Sequence, residues 1–197
     1  MAKIKHTKTE LKAQKEALMR YQRFLPMLQL KKQQLQAEIQ SIDASIEAKE
    51  AEFDGNWKSL QRWVALFSEK TGVQNLVTLR SVQTDRGNIA GVAIPIFQAA
   101  DIATAELDLF ASASWLDDAR DAVSELLQLR IEKEIFVEQR RLVAEELRTT
   151  SQRVNLFEKV KIPECKENIR VIKIFLGDEQ TAAVARGKIA KRRSETV

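Results

Sequence analysis

Residues that could carry out chemistry are few in this chain of 197 residues. His6 is the only histidine, so neither a zinc site with the usual ligands nor a Ser-His-Asp arrangement can be built. The 6 glycines form no GxxxxGK or GxGxxG pattern, so the sequence contains no phosphate-binding loop. Adjacent acidic residues such as Glu145 and Glu146 point apart on a helix surface and seldom cooperate. We therefore expect no catalytic residue, no metal site and no bound cofactor.

The composition favours long helices with few turns. Only 6 Gly and 3 Pro interrupt stretches rich in Ala, Glu, Lys, Leu, Arg and Gln. The net charge is only +4 although 30% of the residues are charged, so the composition does not suggest a nucleic-acid-binding protein. The positive excess lies at the two ends, at Lys3, Lys5, Lys8, Lys12, Arg186, Lys188, Lys191, Arg192 and Arg193. Such runs are usually solvated tails.

The cysteine content and the hydropathy pattern indicate a cytoplasmic location. The single cysteine, Cys165, cannot form an internal disulfide, and no cleavable leader is recognisable. No apolar run approaches the roughly 20 residues that span a bilayer, so we expect any link to a membrane to go through a partner. Cys165 falls on an apolar row of a predicted helix, where a small core residue is expected rather than a nucleophile.

From Leu11 onward, apolar residues recur in alternating steps of four and three, which is the pattern of a heptad coiled coil. One row comprises Leu11, Leu18, Leu25, Ile39, Ile46, Phe53, Leu60 and Phe67, and the other Tyr21, Leu28, Leu35, Ile42 and Trp63. Polar side chains occupy seam positions at Gln14, Lys32, Lys49 and Asn56. Each weakens packing but can fix the register. Pro26 is expected to bend this helix without ending it.

A second helical stretch begins near Trp115. Its apolar positions are Leu116, Val123, Leu127, Ile131, Ile135, Leu142, Leu147, Val154, Phe157, Ile162, Cys165, Ile169, Ile172 and Leu176. The step from Phe157 to Ile162 is out of phase and lies beside Pro163, so we expect a local change of winding there. Gly177 is expected to end the helix, which leaves 178–197 as a basic C-terminal tail.

The two stretches, 8–68 and 115–177, have matched lengths of about 60 residues, or about 90 Å as helices. They predict a mainly α fold: a long antiparallel two-helix left-handed coiled coil with a small β-hairpin-containing head between the helices. In such a pair, residues whose numbers sum to about 183 face each other. Pro26 and Pro163 then fall within about two helical turns of the same level, and we expect a shared bend.

The predicted head, 69–114, contains a β-hairpin over about 76–96. Alternating apolar and polar residues over 76–83 and 89–94 predict two strands, and the turn-forming residues 84–88 lie between them. Pro95 should end the second strand or mark a sheet edge, and a short helical segment is expected after it. An isolated hairpin is marginal in water, so we expect this one to pack on apolar residues around Leu107, Leu109, Phe110 and Trp115.

Two roles stay open for this hairpin. It either caps the end of the coiled coil or offers a contact surface to a partner. The residues of that candidate surface are Val77, Leu79, Asp85, Gly87, Val92 and Ile94.

This arrangement resembles the D subunit of the V-type and A-type rotary ATPases over nearly the whole chain. One stretch that carries the resemblance is Thr7-Lys8-Thr9-Glu10-Leu11, leading to Gln29-Leu30-Lys31-Lys32. A more specific one is Arg148-Thr149-Thr150-Ser151-Gln152-Arg153-Val154-Asn155, followed by Glu158 and by Ile162-Pro163. The family motif thus includes Arg153, Val154, Asn155, Glu158 and Pro163.

The resemblance implies a non-catalytic central rotor shaft that couples ATP hydrolysis or synthesis in a catalytic head to rotation of an ion-translocating membrane ring. Both termini would lie inside the ring formed by the A and B subunits of the head, with the basic residues at both ends against acidic surfaces there. The F subunit of the stalk would bind the shaft, and the C (or d) subunit of the membrane-side stalk would join it to the membrane ring. The residues alone leave open a non-rotary coiled-coil adaptor or scaffold, or a nucleic-acid-binding protein that uses the basic ends.

Overall fold

The computed structural model describes residues 5–68, 76–105 and 113–195. Helix α1 covers Lys8–Gln61, followed by a 3-10 helix at Val64–Ser68, and then by strands β1 (Val77–Ile89) and β2 (Val92–Thr104). Helix α2 covers Leu116–Asn155, a π-helical segment covers Leu156–Lys161, and helix α3 covers Ile162–Glu195. The predicted fold class, an antiparallel coiled coil of two long helical stretches with a hairpin between them, is confirmed.

Helix α1 begins at a threonine cap and passes through its proline. The Thr7 Oγ1 atom accepts a hydrogen bond of 3.2 Å from the backbone N–H of Glu10, which satisfies one of the free donors of the first turn. Pro26 lies inside the helix, as predicted, and does not end it. The bend shared with Pro163 stays a prediction. The helix ends at Gln61, so residues 62–68 of the predicted stretch are not part of it.

The prediction that Gly177 ends the last helix is wrong, and so is the separate tail over 178–197. Helix α3 continues through Gly177 to Glu195. A glycine inside a helix costs only about 1 kcal/mol relative to alanine, and the residues that follow include the strong helix formers Ala182 and Ala183. Thr181 also donates a hydrogen bond of 3.0 Å to the Gly177 carbonyl within the helix.

The hairpin is longer than predicted, and its turn lies elsewhere. Strands β1 and β2 pair antiparallel from Val77 with Thr104 to Ile89 with Val92, so the predicted turn at 84–88 is wrong. The turn residues are Ala90 and Gly91, with positive φ values of 50° and 85°, as in a type I′ turn. The side-chain oxygen of Asn88 accepts a hydrogen bond of 2.9 Å from the Gly91 N–H and stabilises this turn.

Pro95 lies inside β2 rather than at its end. It is tolerated because both strands of a two-stranded sheet are edge strands, and this agrees with the alternative prediction of a sheet edge. Strand β2 continues to Thr104, beyond the predicted end of the hairpin near residue 96. Leu107, Leu109 and Phe110 lie outside the described residues, so the expected short helical segment stays a prediction.

The chain divides into two compact units, which we describe separately. Unit 1 comprises Met1–Lys32 and Thr149–Val197, and unit 2 comprises Gln33–Arg148. The core of unit 2 joins α1, α2 and the hairpin at Leu35, Ile42, Val143 and Ile94. Ile89, Ala90 and Val92 at the hairpin tip pack against this core, so the tip lies along the side of the helix pair. The predicted packing of the hairpin on residues around Trp115 stays a prediction, because Leu107, Leu109 and Phe110 lie outside the described residues.

Unit 1 buries one face of each of its helices. Ile172, Cys165, Val154 and Thr150 are buried on the second helical stretch, while Leu11, Leu18, Tyr21, Leu25 and Leu28 are half-buried on α1. Burial raises the pKa of the Cys165 thiol. Cys165 is therefore a small core residue, as predicted, and its thiol is kept in the unreactive protonated form.

Candidate interaction surfaces

Ion pairs connect the two helices of unit 2 across their seam. Lys49, one of the polar seam residues, lies 3.0 Å from Glu132 of α2 and 2.9 Å from Glu52 of its own helix. The hydrogen bond to Glu52 and, to a smaller extent, the one to Glu132 raise the pKa of Lys49. Two further pairs cross between the helices, Lys133 with Glu50 at 2.7 Å and Arg140 with Asp43 at 2.5 Å. The residue numbers of each crossing pair sum close to the predicted value of about 183.

The helices of unit 1 meet through rings and amides. The rings of Tyr21 and Phe157 lie 5.0 Å apart between centroids, and those of His6 and Phe175 lie 4.8 Å apart. Gln14, a second polar seam residue, accepts a hydrogen bond of 3.4 Å from the amide nitrogen of Asn168. These pairs also agree with the predicted antiparallel alignment. Polar seam residues thus contact the facing helix in both units, as expected of residues that fix register.

A buried glutamine connects the hairpin to the helix pair. Gln139 of α2 is 6% exposed, and its side-chain nitrogen donates a hydrogen bond of 2.5 Å to the backbone carbonyl of Pro95. The sequence reasoning missed this residue because it considered only apolar side chains of α2. The available signal was a polar residue in phase with the apolar positions 136 and 143.

A groove runs along unit 2 between α1 and α2. One part has a volume of about 420 Å³ and is lined by Glu50, Phe53, Asp54, Leu129, Arg130, Lys133 and Glu134. A neighbouring part of about 280 Å³ shares Phe53 and Arg130 and is otherwise apolar, with Trp57 stacked on Phe53. Most of the charged side chains that line the first part of the groove pair with each other, as Lys133 does with Glu50 and Arg130 with Glu134.

The basic residues at the two ends of the sequence are exposed but lie on different levels of unit 1. Lys5, Lys8 and Lys12 are exposed at the start of α1, and Lys3 lies outside the described residues. Arg186, Lys188, Lys191, Arg192 and Arg193 are exposed on α3. Because His6 faces Phe175, Arg186 lies 11 residues further on, or about 16 Å along the helix axis. Both basic groups thus lie toward the same end of unit 1, with the group on α3 further along the helix axis.

The final part of α3 is exposed on all sides. Every side chain from Gly177 to Ser194 is exposed, including Val184 at 59% and Ile189 at 55%. A helix without a buried face is expected to contact a partner or to be surrounded by water.

The residues of the family motif surround the π-helical segment. Val154 is buried in the seam, whereas Arg153, Asn155, Glu158 and Pro163 are exposed. The π helix accommodates the out-of-phase step from Phe157 to Ile162, so the predicted change of winding is confirmed. Lys161 at its end pairs with Glu164 at 3.1 Å, and this hydrogen bond raises the pKa of Lys161.

The predicted contact surface of the hairpin is only partly exposed. Leu79 and Asp85 are exposed, whereas Val77 and Gly87 are half-buried. Ile94 is 5% exposed and Val92 packs on the core of unit 2, so these two residues are corrected from contact residues to packing residues. They face inward because the tip folds onto the helices.

The described part of the chain contains neither a candidate metal site nor a candidate membrane-spanning helix. Within the ranges 5–68, 76–105 and 113–195, no group of three or more His, Cys, Asp or Glu side chains is arranged to hold a metal ion. None of the helices in the same ranges is both long and apolar enough to cross a membrane.

Comparison with known proteins gives consistent matches along the chain. A family model described as the ATP synthase D subunit matches residues 10–192. The D subunit of a V-type ATP synthase from Borreliella burgdorferi is 46% identical over 97% of this chain and 95% of that protein. Proteins of the same name from Chlamydia pneumoniae and Chlamydia muridarum are 33% and 34% identical over 98% of this chain, covering 93% and 96% of those proteins.

Proposed function

Because the chain belongs to the family of ATP synthase D subunits, we propose that it is the central rotor shaft of a V-type ATPase or ATP synthase. It couples ATP hydrolysis or synthesis in a catalytic head to rotation of an ion-translocating, hydrogen-ion-transporting membrane ring. The shaft itself is not catalytic. It is cytoplasmic and peripheral to the membrane, which it reaches through the complex.

The observation that best supports this proposal is the cross-connected helix pair. A shaft under torque must resist sliding of one helix past the other. The ion pairs of Lys49, Lys133 and Arg140 between α1 and α2 oppose such sliding in unit 2, because each pair matches only one register. Gln14 and Asn168 do the same in unit 1.

The partners of the shaft are the A and B subunits of the head, the F subunit of the stalk and the C (or d) subunit of the membrane-side stalk. Rotation of an asymmetric shaft presents a different face to each catalytic site in turn and biases it between open and closed states. The exposed basic residues of the chain ends contact acidic surfaces inside the ring: Lys5 before α1, Lys8 on α1, and Arg186 to Arg193 on α3. The exposed residues of the family motif and of β1, such as Arg153 and Leu79, contact other subunits.

Single-molecule rotation of the reconstituted complex tests the proposal. The chain is assembled with the A and B subunits of the head, a probe is attached at the exposed Thr78 of β1 through Thr78→Cys in a Cys165→Ser background, and ATP is added. Continuous rotation of the probe in one direction is expected. Stable binding to the head without rotation would instead indicate an adaptor, and absence of binding would exclude the family role for this chain.

The role of the basic helix end is tested separately. We expect that replacing Arg186, Lys188, Lys191, Arg192 and Arg193 together by Gln lowers the hydrolysis rate and the coupling of the reconstituted complex. Electrostatic contacts across an interface fix orientation and partner choice, and their loss is most visible at low ionic strength. The matched control replaces Lys58 and Arg62 by Gln, since both are exposed basic residues of unit 2. Unchanged rate and coupling would contradict the contact.

A further inference from the structure

The second helical stretch carries one residue more than its seam requires, at the π-helical segment. On the N-terminal side of this segment, buried and half-buried seam residues follow one another in steps of four and three: Val143, Leu147, Thr150, Val154 and Phe157. The same rhythm resumes on the other side, at Ile162, Cys165, Ile169, Ile172 and Leu176. The step between the two sets, from Phe157 to Ile162, is five residues where the rhythm requires four. The π-helical segment, Leu156–Lys161, therefore accommodates one inserted residue.

The position of this wide turn is fixed by the seam on both of its sides. If the π turn became an α turn without loss of a residue, the charged Lys161 would take the seam position of Ile162. If the wide turn moved toward the N-terminus, Asn155 would take the seam position of Val154. Both changes would replace an apolar side chain of the seam by a polar one, which is unfavourable. The inserted residue therefore stays at this level of the helix.

The backbone hydrogen bonds of both helical stretches are incomplete at this level. The N–H of Ile162 donates to the carbonyl of Phe157, five residues earlier. Pro163 has no N–H and donates to no carbonyl of the preceding turn, and Pro26 likewise removes one donor from α1. Because Tyr21 contacts Phe157, Pro26 lies only about 7.5 Å along α1 from this contact. Helices bend most readily at prolines and at π turns.

Side-chain packing at this level is weaker than at its borders on the second stretch. We call residues 18–28 of α1 together with residues 155–164 of the second stretch the joint. None of the side chains in these two described ranges is fully buried. Val154 and Cys165, which border the joint, are each 5% exposed. A helical section with few buried contacts and incomplete hydrogen bonds has a low local stability.

We infer that the joint is the part of unit 1 in which the helix pair twists, so that torque on the shaft changes the winding there. The statement about torque rests on the proposed function, whereas the low local stability is a property of the free chain. A π turn holds more residues than an α turn, so a small change of winding rotates α3 about its axis. Beyond the joint, the hydrogen bond between Gln14 and Asn168 keeps α3 in register with α1.

Deletion of Val160 together with Pro163→Ala tests the local part of this inference, because it removes the inserted residue and restores a step of four. Val160 is 48% exposed, so the deletion removes no seam contact. In the parent chain, amide hydrogen exchange of residues 156–165 is expected to be at least about tenfold faster than that of residues 168–176, and the deletion should slow it by about tenfold. Equal exchange of the two ranges in the parent chain would overturn the inference.

Val137 provides the matched control, because it is 47% exposed in a regular part of α2. Its deletion shifts all later seam residues of that helix by one position and should lower the helix content and the thermal unfolding midpoint. Deletion of Val160 with Pro163→Ala should leave both unchanged or raise them. If the two deletions lower the midpoint equally, the π-helical segment holds no inserted residue and the inference fails.

Angular fluctuation of the shaft tests the part that concerns torque. The assembly of the A and B subunits is fixed to a surface without ATP, and a probe is attached through Thr78→Cys in the Cys165→Ser background. The shaft without the inserted residue is expected to give a narrower distribution of probe angles than the parent shaft, because its second stretch is a regular helix. Slower amide exchange without a narrower distribution would overturn the assignment of twist to the joint and leave the proposed function intact.

Two further outcomes are distinguished by the same measurements. If the deletion variant does not bind the head, Pro26→Ala with Pro163→Ala is measured instead, since it keeps every residue of the chain and should also narrow the distribution. An unchanged distribution in that variant would overturn the inference. If the parent shaft does not bind the head at all, the proposed function fails, while the exchange and unfolding results still decide whether the joint is locally unstable.

Discussion

Units 1 and 2 hold their paired helices together in different ways. In unit 2, three ion pairs cross between α1 and α2, and the hairpin packs onto the same helices. In unit 1, contacts between the helices include two aromatic pairs and one long amide hydrogen bond, and large apolar side chains such as Met19 and Leu30 of α1 are exposed. Unit 2 thus joins its helices through crossing ion pairs and a core that includes the hairpin. Unit 1 joins its helices through ring and amide contacts, and the hairpin is not part of it.

The comparison predicts different consequences of removing a fully buried side chain from each unit. Leu35→Ala in unit 2 and Ile172→Ala in unit 1 each remove a side chain that is 0% exposed, at a cost of about 2–5 kcal/mol. Leu35 is in the core that holds the hairpin, so its loss should also speed amide hydrogen exchange in β1 and β2. Urea unfolding and hydrogen exchange measure the two effects.

Leu30→Ala is the control for this pair, because Leu30 is 58% exposed and its truncation should change stability by less than about 0.5 kcal/mol. Faster exchange of the hairpin amides in Ile172→Ala, to the same extent as in Leu35→Ala, would contradict the separation of the two units.

A smaller effect is expected at two glutamines, one that bonds to the hairpin and one in the seam. Gln139→Ala in unit 2 leaves the carbonyl of Pro95 without its buried donor, which should lower the free energy of unfolding by about 1–3 kcal/mol. Gln14→Ala in unit 1 removes a hydrogen bond of 3.4 Å at a half-buried site and should cost less than about 1 kcal/mol. If chemical denaturation shows that both substitutions lower the free energy of unfolding equally, Gln139 does not anchor the hairpin.

The features that followed from the sequence are those that repeat along it. The seven-residue period gave both seam rows. The matched lengths of the two stretches gave the antiparallel alignment, which the Arg140–Asp43 and Asn168–Gln14 contacts confirm. The phase slip beside Pro163 gave the position of the π-helical segment. Such features depend on local geometry, which the order of residues determines directly.

The features that the sequence did not reveal depend on contacts between distant residues. The turn at Ala90 and Gly91 was missed because residues 84–88 have a more typical turn composition, although packing of the tip on Leu35 and Val143 favours the longer strands. The hairpin position along the helices could not be inferred without that core. The exposure of apolar residues off the heptad rows, such as Met19 and Leu30, was missed because they were not considered separately from the seam.

The smallest expected effect separates a crossing ion pair from an ordinary surface pair. A double-mutant cycle of Lys49→Met and Glu132→Gln should give a coupling energy of about 1 kcal/mol, since both side chains are partly buried. A double-mutant cycle on Arg130 and Glu134, an exposed pair within α2, should give a smaller coupling energy of about 0.3–0.5 kcal/mol.

The pH dependence of this coupling has a defined sign. The folded-state pKa of Lys49 is raised above its ordinary value of 10.5, so its stabilising contribution is complete below that pH and is lost as the pH rises through the raised pKa. Replacing Lys49 by Met should therefore remove part of the alkaline loss of stability in thermal unfolding above about pH 10.5. An unchanged alkaline profile, or equal coupling in the two cycles, would mean that Lys49 does not fix the register of unit 2. The contrast between the units would then rest on the hairpin core and the pairs of Lys133 and Arg140.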